Sequence, residues 1–154
     1  MNMKKIFSII SAALILSAAM FSSSCSKDKE SLDGTTWTSI ASDNSVMTLS
    51  FRNGTVELKN TNRIGNGEIA IITTGTYTYQ KPNFEGVLTD FECDVPQSIY
   101  EGLTPEQEIL AKALVEEIKE GLRNSLPGTL AGTVASDGKT LTTNGKTSRT
   151  FNKK

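Results

Sequence analysis

Between residues 46 and 60 apolar and polar side chains alternate. Met47, Leu49 and Phe51 are separated by Thr48, Ser50 and Arg52. A period of two marks a half-buried strand. Asn53-Gly54 follows, a pair that accepts positive φ at both centres of a type I′ turn. A two-residue loop there sets Phe51 opposite Val56 and Leu49 opposite Leu58, so all four share one face. Similar texture, rich in Thr and punctuated by Gly, Asn and Pro, predicts further strands over 36–41, 68–80, 84–93, 130–136, 139–143 and 148–152. Residues 62–67 read as a loop, and Gly75 as a bulge or bend. Tyr77 and Tyr79 fall on one face of their strand. Val87, Thr89, Phe91 and Cys93 fall on one side of the next. Asp137-Gly138 predicts a second hairpin, with Val134 opposite Leu141. After Asn144-Gly145 a two-residue loop would turn Phe151 away from the face of Leu141, so a longer or bulged loop is expected.

One segment has another period. Leu110, Leu114, Ile118 and Leu122 recur every four residues, flanked by Ala111 and Val115. Thr104 suits an N-cap, Pro105 the first helical position, and Gln107 completes a capping box. Pro127-Gly128 ends the helix, predicted over 104–125. Its stripe is expected to cover the domain's own apolar surface. The expected fold class is mainly β: an antiparallel meander of about eight strands, barrel-like, with this amphipathic helix between strands five and six.

The amino end changes the picture. Lys4 and Lys5 precede an uncharged apolar run over 6–21, short of the ~20 residues that span a bilayer. Ser22, Ser23, Ser24 and Cys25 follow, which completes the three-part plan of a secretory signal. Residues 1–24 are therefore expected to be removed, and 25–33 to form a polar tether to a domain over 34–154. Loss of Lys4 and Lys5 from 16 bases leaves 14 against 17 acids. That balance offers nothing to neutralise phosphates, so nucleic acid is not an expected partner. The chain has no histidine, which excludes Ser-His-Asp and Cys-His catalysis and His-ligated zinc. Its two cysteines are Cys25 and Cys93.

Ser22 to Cys25 resembles a lipobox, with Ser22 where an aliphatic residue is usual. The resemblance implies a diacylglyceryl thioether on Cys25 and acylation of the new amino end, so the membrane is the expected partner through these chains. The run Ser26-Lys27-Asp28-Lys29-Glu30 resembles the export tags of Bacteroidota lipoproteins, which implies the outer membrane and exposure at the cell surface. Leu32-Asp33-Gly34-Thr35-Thr36-Trp37 and Gly75-Thr76-Tyr77-Thr78-Tyr79 resemble segments of the lipocalin-like, calycin-type domains of small Bacteroidota lipoproteins, over roughly residues 32–154. That resemblance implies a β-barrel for a small hydrophobic molecule and no catalytic residue; no metal or cofactor is expected.

Six residues are candidates for lining such a pocket: Trp37, Phe51, Ile71, Tyr77, Tyr79 and Phe91. Core or cross-strand packing is the simpler use of Trp37 and the two tyrosines. Seven acids and no base lie between Lys81 and Lys112, with Asp90, Glu92 and Asp94 on one strand face. They suit calcium or a carboxylate pair of a glycosidase, but a solvated sheet face explains them more simply. Cys93 has only acids as close charged neighbours, which disfavours a thiolate. Three readings follow. The first is a lipid-anchored, non-enzymatic envelope module that binds a small hydrophobic ligand or another envelope protein. The second is an accessory subunit docked on an outer-membrane complex, without a pocket. The third is an enzyme of the acidic face.

Overall fold

A computed structural model describes residues 31–41, 44–64, 67–145 and 148–154. The expected signal peptide, Cys25 and the tether to residue 30 lie outside the described residues. The elements are β1 (Thr36–Ile40), β2 (Val46–Arg52), β3 (Thr55–Ile64), β4 (Gly67–Gln80), β5 (Asn83–Asp94), a short 3-10 turn (Gln97–Ile99), α1 (Pro105–Ser125), β6 (Gly128–Val134), β7 (Thr140–Asn144) and β8 (Arg149–Lys153). Each strand pairs antiparallel with its sequence neighbours. Trp37 opposite Lys153 and Thr38 opposite Asn152 join β1 to β8 and close the barrel. Closure gives every strand a partner on both sides, although β5 beyond Leu88 is paired with β4 alone. The fold is thus the eight-stranded antiparallel barrel with one helix between β5 and β6 that the pattern predicts.

Turn chemistry sets the register. Asn53 and Gly54 both take positive φ, 52° and 75°, and Phe51 pairs with Val56 and Leu49 with Leu58. At the β6–β7 turn only Gly138 is left-handed, and its N–H donates to the Ala135 carbonyl. The loop is longer than two residues but keeps the expected parity, so Val134 still faces Leu141. The β7–β8 connection is also long, and it pairs Leu141 with Phe151. Both are fully buried.

Two expectations are corrected. Residues 62–64 and 67 are strand, not loop: Asn62 pairs with Ile69 and Ile64 with Gly67. The polar letters hide this because Asn60 and Asn62 face inward. On β5, Val87 and Thr89 do not share a side with Phe91 and Cys93. Thr74 pairs with Asp90 but Gly75 with Leu88, so Thr89 is an extra residue in β5. A bulge of one residue reverses the alternation beyond it. Phe84 and Leu88 face the interior before the bulge, and Phe91 and Cys93 face it after. Gly75 permits this geometry. A Cβ on Gly75 would collide with the Val87 carbonyl oxygen and would lie 2.7 Å from Leu88 Cα.

The core has two parts. One end, the floor, is packed by Trp37, Leu49, Phe51, Val56, Phe84, Leu88, Val134, Leu141 and Phe151, with Leu32 and Met47. Leu32 lies within the stretch that composition assigns to the tether, yet it is buried in this cluster. The second part joins Ile69 and Ile71 of β4 to Ile99 and Leu122. Here β5 beyond Leu88 has left β6, and α1 stands beside it. Thr104 and Gln107 form the expected capping box, through bonds of 3.3 and 3.0 Å. Only Leu122 of α1 is fully buried, so the apolar stripe covers the barrel with its carboxyl half alone.

Gly75→Ala is expected to destabilise the barrel by about 1–3 kcal/mol, because the obstacle is backbone and cannot rotate away. Gly121→Ala, whose added methyl meets nothing within 4 Å, is expected to stabilise it by about 0.5–1 kcal/mol through helix propensity. Urea unfolding of both variants checks the pair. Equal effects would contradict this account of the bulge.

Candidate functional site

The barrel's two ends differ in chemistry. At the floor, Phe51 meets Tyr77 and Phe84 edge to face, with ring centroids 4.8 and 5.4 Å apart. Trp37 is buried beside them, and its Nε1 donates to Thr35 Oγ1 at 2.9 Å. That hydroxyl in turn donates to the Leu32 carbonyl at 2.6 Å. Tyr79 packs against the same cluster. The Tyr77 hydroxyl donates to Asp33 Oδ1 at 2.8 Å, and the Gly54 N–H donates to the same oxygen at 3.0 Å. These donors, the Gly54 amide above all, hold the Asp33 carboxyl below its ordinary range. Partial burial, followed by the adjacent carboxylate, pushes the Tyr77 phenol up.

Of the six candidate lining residues, Trp37, Phe51, Tyr77 and Tyr79 therefore belong to the floor, which side chains fill. Ile71 and Phe91 belong to the second cluster, against Ile99, Leu122 and Ile118. The structure does not bring the six into one lining.

At the other end, the mouth, are the last residues of β1, β3, β5 and β7 and the first of β2, β4 and β8. The inner face is polar here. Ser39, Ser45, Asn60, Asn62 and Thr143 are buried. Asn60 pairs with Met47 and Ile71, and Asn62 with Ile69. Thr143 and Arg149 are partners across β7 and β8, linked by the Thr143 hydroxyl to the Arg149 backbone at 3.3 Å. Three buried atoms of this set have no hydrogen-bond partner: Asn60 Oδ1, Asn62 Nδ2 and Arg149 Nη1. A fourth, Thr38 Oγ1, is on the outer side of β1, away from Trp37 and Ser39. Arginine usually extends its head to water. Here a guanidinium nitrogen is withdrawn from it. A buried polar atom left unpaired costs about 1–3 kcal/mol, so the mouth is the destabilised part of the barrel. Sequence reading missed these residues. Extending the β3 alternation from Val56 and Leu58 by two more steps would have placed Asn60 and Asn62 inside.

The other candidates are dispersed. Asp90, Glu92 and Asp94 are exposed on the outside of β5. Among the described residues, no three acids or cysteines come together to hold a metal. Cys93 is half-buried beside an open cleft of about 530 Å³ between α1 and the end of β5, lined also by Tyr100, Val115 and Lys119. Burial chiefly, with Asp94 and Glu116, raises the Cys93 thiol against the opposing effect of Lys119. Comparison with protein-family models and with curated proteins finds no match to this chain.

The floor generates a pH prediction. The folded Asp33 pKa is depressed, so its stabilisation is present above the ordinary carboxylate value of about 3.9 and is lost as pH falls through the lowered value. The gap in Tm between wild type and Asp33→Asn is expected to hold from pH 7 to about 5 and to close below about 4. A gap that persists at pH 2 would exclude this role of the carboxylate.

Proposed function

We propose that the protein is a non-enzymatic lipoprotein of the outer envelope, held at the outer membrane by acyl chains on Cys25, whose barrel accepts a small amphipathic ligand at its mouth. The observation that carries this reading is the asymmetry of the interior. The floor is packed solid by large side chains, whereas the mouth buries polar atoms with nothing bonded to them. A barrel built only as a scaffold gains nothing from such atoms, since apolar side chains of similar shape would be equal or better there. A non-enzymatic role is supported by the chain's lack of histidine and by the raised Cys93 thiol. The lipid anchor is supported by the amino-terminal pattern alone: basic start, short apolar run, serines and Cys25.

A second reading, an accessory subunit docked on an envelope complex, is favoured by one feature. Ile109 and Leu110 of α1 are 70% and 48% exposed, on a stripe whose other end is buried. Such residues suit contact with a partner protein.

Two measurements test the proposal. Radiolabelled palmitate is expected to enter the wild-type protein and not Cys25→Ala; equal labelling would exclude the anchor. Native mass spectrometry of the full-length protein from its own host is expected to show a small molecule bound in one copy. Co-isolation of a stoichiometric protein partner with an empty barrel would instead establish the docking reading.

A further inference from the structure

We infer that the mouth is a recognition site for a carboxylic acid that carries a hydroxyl close to its carboxyl group, with Arg149, Asn62 and Asn60 as the recognising residues. The inference rests on the proposed ligand-binding role and assigns its chemistry. Asn60 and Asn62 are only 6% and 9% exposed, and both lie on the inner face of β3. Arg149 lies on the inner face of β8 with Phe151, opposite buried Thr143. The barrel's closed order, β8-β1-β2-β3, carries these residues around one side of the same end.

The unmatched atoms define the ligand by complement. Arg149 Nη1 and Asn62 Nδ2 are donors without acceptors, and Asn60 Oδ1 is an acceptor without a donor. Two donors, one of them cationic, ask for an anionic oxygen pair. The planar guanidinium fits a carboxylate and binds it more strongly than a neutral acceptor. No carboxylate of the described residues is paired with Arg149, so the charge is not already compensated within them. The lone acceptor asks for an O–H in the same molecule. Asn60 sits one step deeper on the strand than Asn62, so the hydroxyl stands further inside than the carboxylate. Met47, Ile69 and Ile71, the apolar neighbours of the two asparagines by register, are themselves buried in the two core clusters, so the recognising groups are the polar ones. The polar part thereby resists substitutes. An analogue lacking one group leaves a buried partner unpaired, and discrimination of this kind is steep.

The experiment uses the full-length protein in nanodiscs, with empty nanodiscs as the blank, and titrates 3-hydroxyoctanoate, octanoate and octane-1,3-diol by calorimetry. Wild type is expected to bind 3-hydroxyoctanoate at least tenfold more tightly than either comparator. Arg149→Met is expected to abolish the preference over the diol and Asn60→Leu the preference over octanoate. Arg149→Lys keeps the charge without the planar fork. It is expected to retain part of the preference, and it serves if the methionine variant fails to fold. Equal binding of all three probes, unaffected by these substitutions, would overturn this assignment while leaving an unselective ligand site. Absence of saturable binding by every probe, together with increased stability of Asn60→Leu, would mean that water alone satisfies these atoms and would remove the ligand reading as well.

Discussion

The architecture depends on the contact between two backbones at Gly75. Without a side chain there, the Val87 carbonyl sits where a Cβ would otherwise stand, and β5 gains Thr89 as an extra residue. That residue lets one strand contribute Phe84 and Leu88 to the floor and Phe91 and Cys93 to the second cluster. It also marks where β5 parts from β6, whose ladder ends at Leu88 opposite Gly128. Beyond this point α1 stands beside β5, and its Leu122 and Ile118 join the cluster of Ile69, Ile71 and Phe91. The barrel is accordingly uniform at one end and composite at the other.

The composite wall explains the uneven use of α1. A helix inserted in the chain between two strands must return from the end of β5 to the start of β6. Its carboxyl half, with Leu122, lies against Ile69, Ile71 and Phe91. Its amino half is held by local devices: the capping box and the Glu108–Lys112 ion pair at 2.6 Å. Exposed pairs of this kind contribute little to stability, so packing around Leu122 is what fixes the helix in place.

Much of the fold was legible in the residues because local rules and global closure agree. Asn53-Gly54 dictates its own turn, Thr104-Pro105-Gln107 its own helix start, and Leu141 and Phe151 demand a common face. The failures have physical causes too. The reversal at Thr89 leaves no mark on its own strand; its cause, Gly75, is on the neighbour. Residues 95–103, with buried Ile99 on a short 3-10 turn, have no periodicity to read. The candidate site was hidden for the opposite reason. Its asparagines and arginine carry the composition of a loop or surface, and only the strand parity of β3 and β8 shows that they point inward.

Leu32 and Asp33 have a consequence for orientation. Leu32 is sunk in the floor, and Asp33 is bound to Gly54 and Tyr77 at that same end. Five residues separate Cys25 from Ser31, so the chain between them extends about 20 Å at most. With Cys25 acylated as proposed, the floor is the end leashed toward the headgroups, and the end with the buried asparagines is held away from them. A ligand taken up at that end, as proposed, would then be exchanged with solution or with a passing protein, and the bilayer beneath would serve as a mooring and not as the source.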